Sequence, residues 1–257
     1  MTQSTNKQNL SFFYPLIVYF VVCAAVSQGL TSAGFMDLVM RQAVSSFCAG
    51  AAVYLCFIAF GKKQEGKNRR IFLVPVTGHL LRGGLIAILW LICAGVAMNN
   101  VIGVLGLAQL SDSYQQVQAD FYSSDLLCEL LALGLITPLA EELLYRQLML
   151  KRLRESFGRW MAIVASALIF GVMHMNLVQT VYAFVLGLLL ALLMETYQDV
   201  RVPFLGHAAA NCISVLRGET DLFSWLSIGQ PLFWPVTVFL LAVTLIFTVQ
   251  FIHNLKS

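Results

Sequence analysis

The sequence predicts an all-α fold, a polytopic transmembrane helical bundle of about eight spans. The chain of 257 residues is 59% hydrophobic and only 11% charged, and its mean hydropathy is +0.79. Soluble domains carry roughly 25% charged residues. The apolar residues form continuous runs of about 17 to 25 residues, the length of a helix that crosses a hydrocarbon core of about 30 Å. Because these runs lack the alternation typical of a β-barrel, helices are favoured.

The apolar runs follow one another with short polar connections. They occupy residues 12–31, 42–61, 84–108, 126–150, 159–175, 178–196, 203–217 and 232–253. The fifth, sixth and seventh runs are short, which leaves a re-entrant alternative open for one of them. A signal peptide is the disfavoured alternative for the first run, because only one lysine precedes it and its apolar part is long. No repeat or long linker divides the chain, so we expect a single integral membrane domain, 1–257.

The distribution of charge predicts an orientation. Basic residues stand between runs two and three and between runs four and five: Lys62, Lys63, Lys67, Arg69, Arg70, Arg82, Lys151, Arg152, Arg154 and Arg159. The segment SDSYQQVQAD between runs three and four has acidic residues only. The positive-inside rule therefore predicts a multi-pass protein of the cell membrane with both termini in the cytoplasm. The net charge of +3 is explained by contact with lipid headgroups, and no nucleic-acid partner is expected.

Nearly all intramembrane ionisable residues lie between 125 and 217, so this segment is the predicted catalytic core and the first 110 residues are the predicted scaffold. The stretch TPLAEELLYRQLMLKRLR places Glu142 one helical turn before Arg146, where the two can form an ion pair. Glu141 points to another face, towards Tyr145. The two glutamates are therefore expected to have different roles, with Glu141 free for acid–base chemistry.

Three further polar residues accompany this pair on later runs. His174 ends the motif FGVMH, and His207 and Asn211 stand one turn apart in HAAAN. A glutamate and an imidazole can together deprotonate a water, while a second imidazole and an amide can donate hydrogen bonds to an oxyanion. Glu141, His174 and His207 also match a zinc shell with one open position. Metal-free and zinc-dependent hydrolysis both stay open, and the metal-free route is favoured because an amide is a poor third zinc ligand.

Rival chemistries find less support in the sequence. There is no GxSxG serine motif, no HExxH zinc helix and no intramembrane pair of aspartates. A transporter would also carry intramembrane charge, but the repeat symmetry and interrupted runs typical of transporters are not apparent. The six cysteines lie inside the runs without paired spacing and are interpreted as reduced packing residues. Glu129, Glu195, His79 and His253 are interpreted as packing, loop or interfacial residues without a role in a site.

The three motifs EELLYR, FGVMH and HAAAN, in this order on successive runs, resemble the CPBP family of intramembrane proteases. This family comprises type II CAAX prenyl endopeptidases and bacteriocin-processing and self-immunity (Abi-like) proteins, and the resemblance covers about 125–217. It implies a membrane endopeptidase with Glu141 as the base, Glu142 and Arg146 as its supporting pair, His174 as the partner that activates water, and His207 with Asn211 as oxyanion or ligand residues.

The resemblance also implies a substrate class, a membrane-associated peptide or a lipidated protein. Some members of the family are described as immunity or scaffold proteins, so a non-catalytic role on the same fold is the alternative. Counted from the basic flanks, the site lies inside the bilayer, and we expect a cavity that opens to the cytoplasm or laterally to lipid.

Overall fold

A computed structural model of the chain describes residues 2–35, 37–60, 75, 77–121 and 124–256. These residues form helices and turns without a β-strand, which confirms the predicted all-α membrane bundle. The helices are α1 (Thr2–Ser32), α2 (Leu38–Phe60), α3 (Gly78–Val104), α4 (Asp112–Phe121), α5 (Leu126–Leu131), α6 (Thr137–Glu142), α7 (Lys151–Phe157), α8 (Arg159–Val172), α9 (Leu177–Tyr197), α10 (Arg201–Glu219) and α11 (Phe233–Lys256). The predicted basic loop after α2 falls mostly on 61–74, outside the described residues.

Five of these helices, α1, α2, α3, α9 and α11, are long and apolar enough to cross a membrane. The shorter α8 has 14 residues, and α10 corresponds to the predicted run at 203–217. The predicted third run begins earlier than expected, at Gly78, because Thr77 caps the helix by accepting the Leu80 N–H at 3.3 Å. By length and composition the chain is a multi-pass membrane protein, and α5, α6 and α7 follow the predicted run at 126–150.

The helices α5, α6 and α7 form one continuous rod, here called the composite helix (126–157). Two π-helical segments, Ala132–Ile136 and Leu143–Leu150, join its α-helical parts. In a π-helix the hydrogen bonds span one more residue than in an α-helix, and such segments are frequent at functional sites. The rod passes through the middle of the bundle, and every residue from Glu142 to Leu150 is buried.

The two ends of the bundle differ in charge. The basic end carries the α7–α8 junction, the α9–α10 turn and the end of α11, with Arg82, Lys151, Arg152, Arg154, Arg159, Arg201 and Lys256. The acidic end carries the α1–α2 turn, α4, the start of α5 and the end of α10, with Asp37, Asp112, Asp120, Asp125, Glu129, Glu219 and Asp221. Among the described residues, Arg41 and Arg217 are the cations at the acidic end.

Helix α3 packs against α10 and α11 and forms the centre of the scaffold. The Trp90 ring stacks on Phe251 with centroids 4.7 Å apart, and its Nε1 donates to the Thr244 carbonyl at 3.2 Å. Asn100 Nδ2 donates to Thr237 Oγ1 at 2.6 Å inside the same contact. Ring stacking and hydrogen bonds between side chains favour the packing of helices in lipid.

The connection between α3 and the composite helix is itself helical. The acidic segment between predicted runs three and four contains α4, which packs against α2 and α9. Nearby, the Asp37 carboxylate accepts the Met40 N–H at 2.8 Å and the Ser124 hydroxyl at 2.8 Å. These bonds hold the pKa of Asp37 below its usual range, and they join the start of α2 to the start of the composite helix.

Candidate active site

The composite helix widens near the site because of Pro138. In the π-helical turn Ala132–Ile136, the Thr137 N–H donates to the Ala132 carbonyl. With the same spacing, the Leu133 carbonyl would face the nitrogen of Pro138, which has no hydrogen to donate. Asn211 Nδ2 on α10 donates to this carbonyl instead, at 3.0 Å. A proline in the sequence thus creates the docking point of a predicted site residue.

Glu142 is the carboxylate of the site that is shielded from solvent. Its side chain is fully buried, and its Oε1 lies 3.3 Å from Arg146 Nη1 and 2.9 Å from His207 Nδ1. The ion pair that the spacing predicts is therefore present. Two positive or hydrogen-donating neighbours reduce the cost of burying this carboxylate in the bundle.

Arg146 connects the composite helix to α8 and α9. Its Nη2 donates to the Gly187 carbonyl at 3.3 Å, and its guanidinium carbon lies 4.6 Å from the centre of the Phe170 ring. A Cβ at Gly187 would lie 3.1 Å from Ala167 Cα. Glycine is needed here because α8 and α9 approach so closely around the guanidinium.

His207 lies between the two glutamates. Its Nδ1 is 2.9 Å from Glu142 Oε1, and its Nε2 is 3.7 Å from Glu141 Oε2. Because an ionised carboxylate only accepts hydrogen bonds, Nδ1 is the donor to Glu142. Glu142 therefore fixes the orientation of the imidazole and directs its Nε2 towards Glu141.

His174 presents its other nitrogen to the site. Its Nδ1 lies 2.9 Å from the Phe170 carbonyl oxygen. A carbonyl can only accept, so Nδ1 carries the hydrogen. In the neutral ring, Nε2 then has a lone pair that can accept a proton or a hydrogen bond. The Phe170 ring holds both imidazoles edge-on, with centroids 5.0 Å from His174 and 5.8 Å from His207.

A cavity of about 530 Å³ brings the predicted residues together. Glu141, His174, His207 and Asn211 line it, whereas Glu142 and Arg146 lie behind its wall. Glu141 is the glutamate of the pair that faces the cavity, with 17% of its side chain exposed, against 0% for Glu142. The structure therefore separates the two adjacent glutamates as the helical geometry predicts.

Several polar and aromatic residues of the cavity wall were not predicted from the sequence. They are Tyr19, Gln42, Asn99, Tyr114, Gln118, Tyr145, Gln179, Tyr182 and Ser214. Some belong to the first 110 residues, the predicted scaffold, so α1, α2 and α3 also form walls of the cavity. Uncharged amides within apolar runs, as at Gln42 and Asn99, are the signal that could have identified them.

The cavity extends from Glu141 towards the acidic end of the bundle. Beyond the site its walls are the first turns of α2 and α9, the last turns of α3 and one face of α4. None of the described lining residues lies at the flanks that carry Lys151, Arg159 and Arg201, so of the two predicted openings the one at those flanks finds no support. The polar residues lie in those halves of the helices that point away from the basic end. A lateral opening finds support in Phe20, which lines the cavity and is 40% exposed.

Glu141, His174 and His207 were predicted as metal ligands only if the enzyme uses zinc, and they do not form a metal shell. Among the residues that the structure describes, no group of three His, Cys, Asp or Glu side chains is arranged to hold a metal ion. His207 uses Nδ1 for Glu142, and its Nε2 faces a glutamate oxygen 3.7 Å away. These described side chains do not form a closed three-ligand shell, and the reaction proposed for them uses their acid–base chemistry.

Comparison with protein families agrees with the geometry. Residues 123–213 match the model of the type II CAAX prenyl endopeptidase Rce1-like family. This match covers the composite helix, α8, α9 and most of α10, and it confirms the resemblance to the CPBP and CAAX proteases. The matched segment is therefore similar to a family of CAAX-type membrane peptidases. The searches of curated proteins and of solved structures give no match.

Proposed function

We propose that this protein is an intramembrane endopeptidase that hydrolyses a peptide bond in a membrane-associated peptide or a lipidated protein. The proposal rests on the different surroundings of the two adjacent glutamates. Glu141 faces a cavity together with two imidazoles, while Glu142 is buried behind the cavity wall, in contact with Arg146 and His207. A cavity-facing carboxylate without a cation on its own helix is suited to accept a proton from water.

In the proposed reaction Glu141 takes one proton from a water molecule in the cavity. The His174 Nε2 lone pair accepts a hydrogen bond from the same water and orients it. The water oxygen attacks the carbonyl carbon of the scissile peptide bond, which gives a tetrahedral intermediate with a negative oxygen. Glu141 then passes its proton to the amide nitrogen, the C–N bond breaks, and the products are a carboxylic acid and an amine. The acid's proton passes to the amine, which leaves a carboxylate and an ammonium group.

Two groups on α10 are placed to stabilise the intermediate. Asn211 uses one Nδ2 hydrogen for the Leu133 carbonyl, so the second hydrogen is available to the oxyanion. His207 Nε2 can donate once the ring carries both protons, and the Glu142 carboxylate at Nδ1 stabilises that imidazolium. Fixed donors of this kind act strongly where water is excluded.

The membrane setting supports the substrate class. The cavity lies inside a multi-pass bundle, and Phe20 of its wall is exposed on the lipid-facing surface of α1. A substrate with a lipid anchor or an apolar segment is concentrated in the bilayer, where this wall is reached by lateral diffusion. We propose that the protein resides in the cell membrane with its basic end and both termini in the cytoplasm.

The test compares purified wild-type protein with Glu141→Gln and His174→Gln in detergent. Cleavage of a library of lipidated peptides is followed by mass spectrometry, with and without a chelator. We expect cleavage by the wild type, and a loss of about 10²- to 10⁴-fold in each variant, the contribution of acid–base groups. Insensitivity to chelator is the expected result for water activation by Glu141 and His174 alone. Equal cleavage by wild type and Glu141→Gln would refute the proposal and favour a non-catalytic immunity or scaffold role.

A further inference from the structure

The described wall of the cavity beyond the active site carries uncharged polar groups among apolar residues. Its amides and hydroxyls come from helix ends at the acidic end: Gln42, Asn99, Gln118, Gln179 and Ser214. Asn99 Nδ2 donates to Ser214 Oγ at 3.3 Å across the wall. Gln118 is exposed at the surface, so the cavity reaches the outside of the bundle at α4. Amides and hydroxyls without charge are suited to the backbone of an extended peptide.

Helix α4 covers this opening with one face. Tyr114, Val117 and Gln118 are spaced three and four residues apart, so they share a face, and all three line the cavity. Gln118 Nε2 donates to the Tyr114 hydroxyl at 3.0 Å, which holds this face together. The opposite face carries Asp112, Gln116 and Ala119, which are exposed. The helix is therefore amphipathic and lies at the mouth of the cavity.

The distribution of Lys and Arg residues predicts which end of the bundle lies in the cytoplasm. The described part of the basic end carries seven Lys and Arg residues, Arg82, Lys151, Arg152, Arg154, Arg159, Arg201 and Lys256. In the sequence, five more stand between α2 and α3: Lys62, Lys63, Lys67, Arg69 and Arg70. At the acidic end, Arg41 and Arg217 are outnumbered by seven acidic residues among those described. The Lys and Arg bias of short loops places the basic end in the cytoplasm.

We infer that the protease receives its substrate from the extracytoplasmic side of the membrane, through the mouth at α4. The inference rests on the proposed function and narrows its substrate class. The substrate is a peptide or membrane-protein segment exposed on the extracytoplasmic face or in the outer leaflet, rather than a lipidated tail presented by the cytoplasm. Gln179 and Asn211 line the same cavity as Gln118 and Glu141, and none of its described lining residues lies at the basic end.

Thiol labelling tests the direction of the mouth without any substrate. Cys23 also lines the cavity, so both variants are made in a protein that carries Cys23→Ala. The Cys23→Ala protein without a further substitution measures the background labelling of the remaining native cysteines. Gln118→Cys is placed at the mouth, and Glu155→Cys, exposed on α7 at the basic end, is the matched control. We expect a membrane-impermeant maleimide to modify Gln118→Cys in intact cells and Glu155→Cys only after permeabilisation.

Other labelling patterns overturn the inference. Modification of Glu155→Cys in intact cells, alone or together with Gln118→Cys, would place the basic end outside. Failure of Gln118→Cys to react in either preparation would show that α4 does not border an open mouth.

A cleavage assay in sealed vesicles tests the path of the substrate. The probe is a fluorogenic peptide with one acyl anchor and charged ends, added from outside to right-side-out and to inside-out membrane vesicles. Because charged groups do not cross the bilayer readily, we expect cleavage at least about tenfold faster in the right-side-out vesicles. Glu141→Gln vesicles of both kinds give the uncatalysed rate.

An equal or inverted ratio of the two cleavage rates overturns the inference but leaves the proposed function standing. No cleavage in either preparation defeats the proposed function, and the labelling result then decides the direction of the mouth alone.

Discussion

Glu142 and Glu195 are both buried carboxylates that pair with arginine, but they have different surroundings. Glu142 pairs with Arg146, whose side chain is 1% exposed, and with an imidazole. Glu195 lies 3.1 Å from Arg154 and 3.2 Å from Arg159, whose side chains are 37% and 35% exposed. The first cluster borders a cavity, and the second closes the basic end of the bundle.

The difference shows what an active site needs beyond buried charge. The Glu195 cluster joins α7 and α8 to α9, and Arg159 also donates to the Leu255 carbonyl on α11. All of its charges serve to connect helices. Next to Glu142, by contrast, Glu141 and the His207 Nε2 face the cavity and have no structural partner of comparable strength. A carboxylate that faces the cavity beside a buried ion pair distinguishes the candidate site.

The largest effect on stability is expected for Glu142→Gln. The substitution keeps the shape of the side chain but leaves Arg146 as an uncompensated buried charge, which costs about 3 to 5 kcal/mol. Unfolding of the detergent-solubilised protein, followed by circular dichroism, measures the loss. Adding Arg146→Met should restore much of the stability while activity stays low, because His207 loses its ionised partner. Wild-type stability of Glu142→Gln alone would contradict the ion pair.

Asn211→Ala should lower activity much more than stability. The variant removes an oxyanion donor, which reduces kcat by about 10²- to 10³-fold, and one hydrogen bond to Leu133, worth about 1 kcal/mol. Asn100→Ala is the matched control, because Asn100 also makes one side-chain bond, to Thr237, and lies away from the cavity. Peptide cleavage and thermal unfolding are measured for both. Similar losses of kcat in the two variants would remove Asn211 from the oxyanion site.

Glu195→Gln is expected to act on stability alone. Its arginines are more than one-third exposed, so solvent screening reduces the ion pairs to about 1 kcal/mol in total. The melting temperature of the wild type should fall slightly as salt is added, and that of the variant should not. A drop in kcat comparable to that of the site variants would mean that the basic end takes part in the reaction.

The smallest effect is expected for Asp37→Ala at the acidic end. Loss of the cap of α2 costs about 0.5 kcal/mol at an exposed position. Because the pKa of Asp37 is lowered in the folded protein, its contribution is present above the ordinary carboxyl pKa and disappears as the pH falls through the lowered value. Melting temperatures of wild type and Asp37→Asn over acidic pH check the sign. The asparagine keeps the cap but does not titrate, so only the wild type should lose this contribution in acid.

Much of the fold could be predicted because helices in lipid are fixed by continuous apolar runs. The ion pair of Glu142 with Arg146 followed from a spacing of one helical turn within a single helix. The contact between Glu142 and His207 could not be derived in this way, because it joins residues on two helices.

The missed features depend on tertiary contacts or on uncharged residues. The π-helical turn at Ala132–Ile136 forms where Pro138 leaves a carbonyl for Asn211, which no local pattern specifies. Helix α4 is polar, so a search for apolar runs treats it as a connection. The end of the bundle towards which the cavity extends could not be predicted, because the distance of Glu141 from a basic flank gives its depth but not the end to which the cavity connects.

The same substitution at the cavity-facing Glu141 and at the buried Glu195 separates catalysis from stability most directly. Glu141→Gln and Glu195→Gln are purified in parallel, and kcat for one cleaved lipopeptide is measured together with the melting temperature. We expect Glu141→Gln to lose activity by at least about 10²-fold at near wild-type stability, while Glu195→Gln keeps its kcat and melts at a lower temperature. Full activity of Glu141→Gln, or an equal loss in both variants, would contradict this expectation.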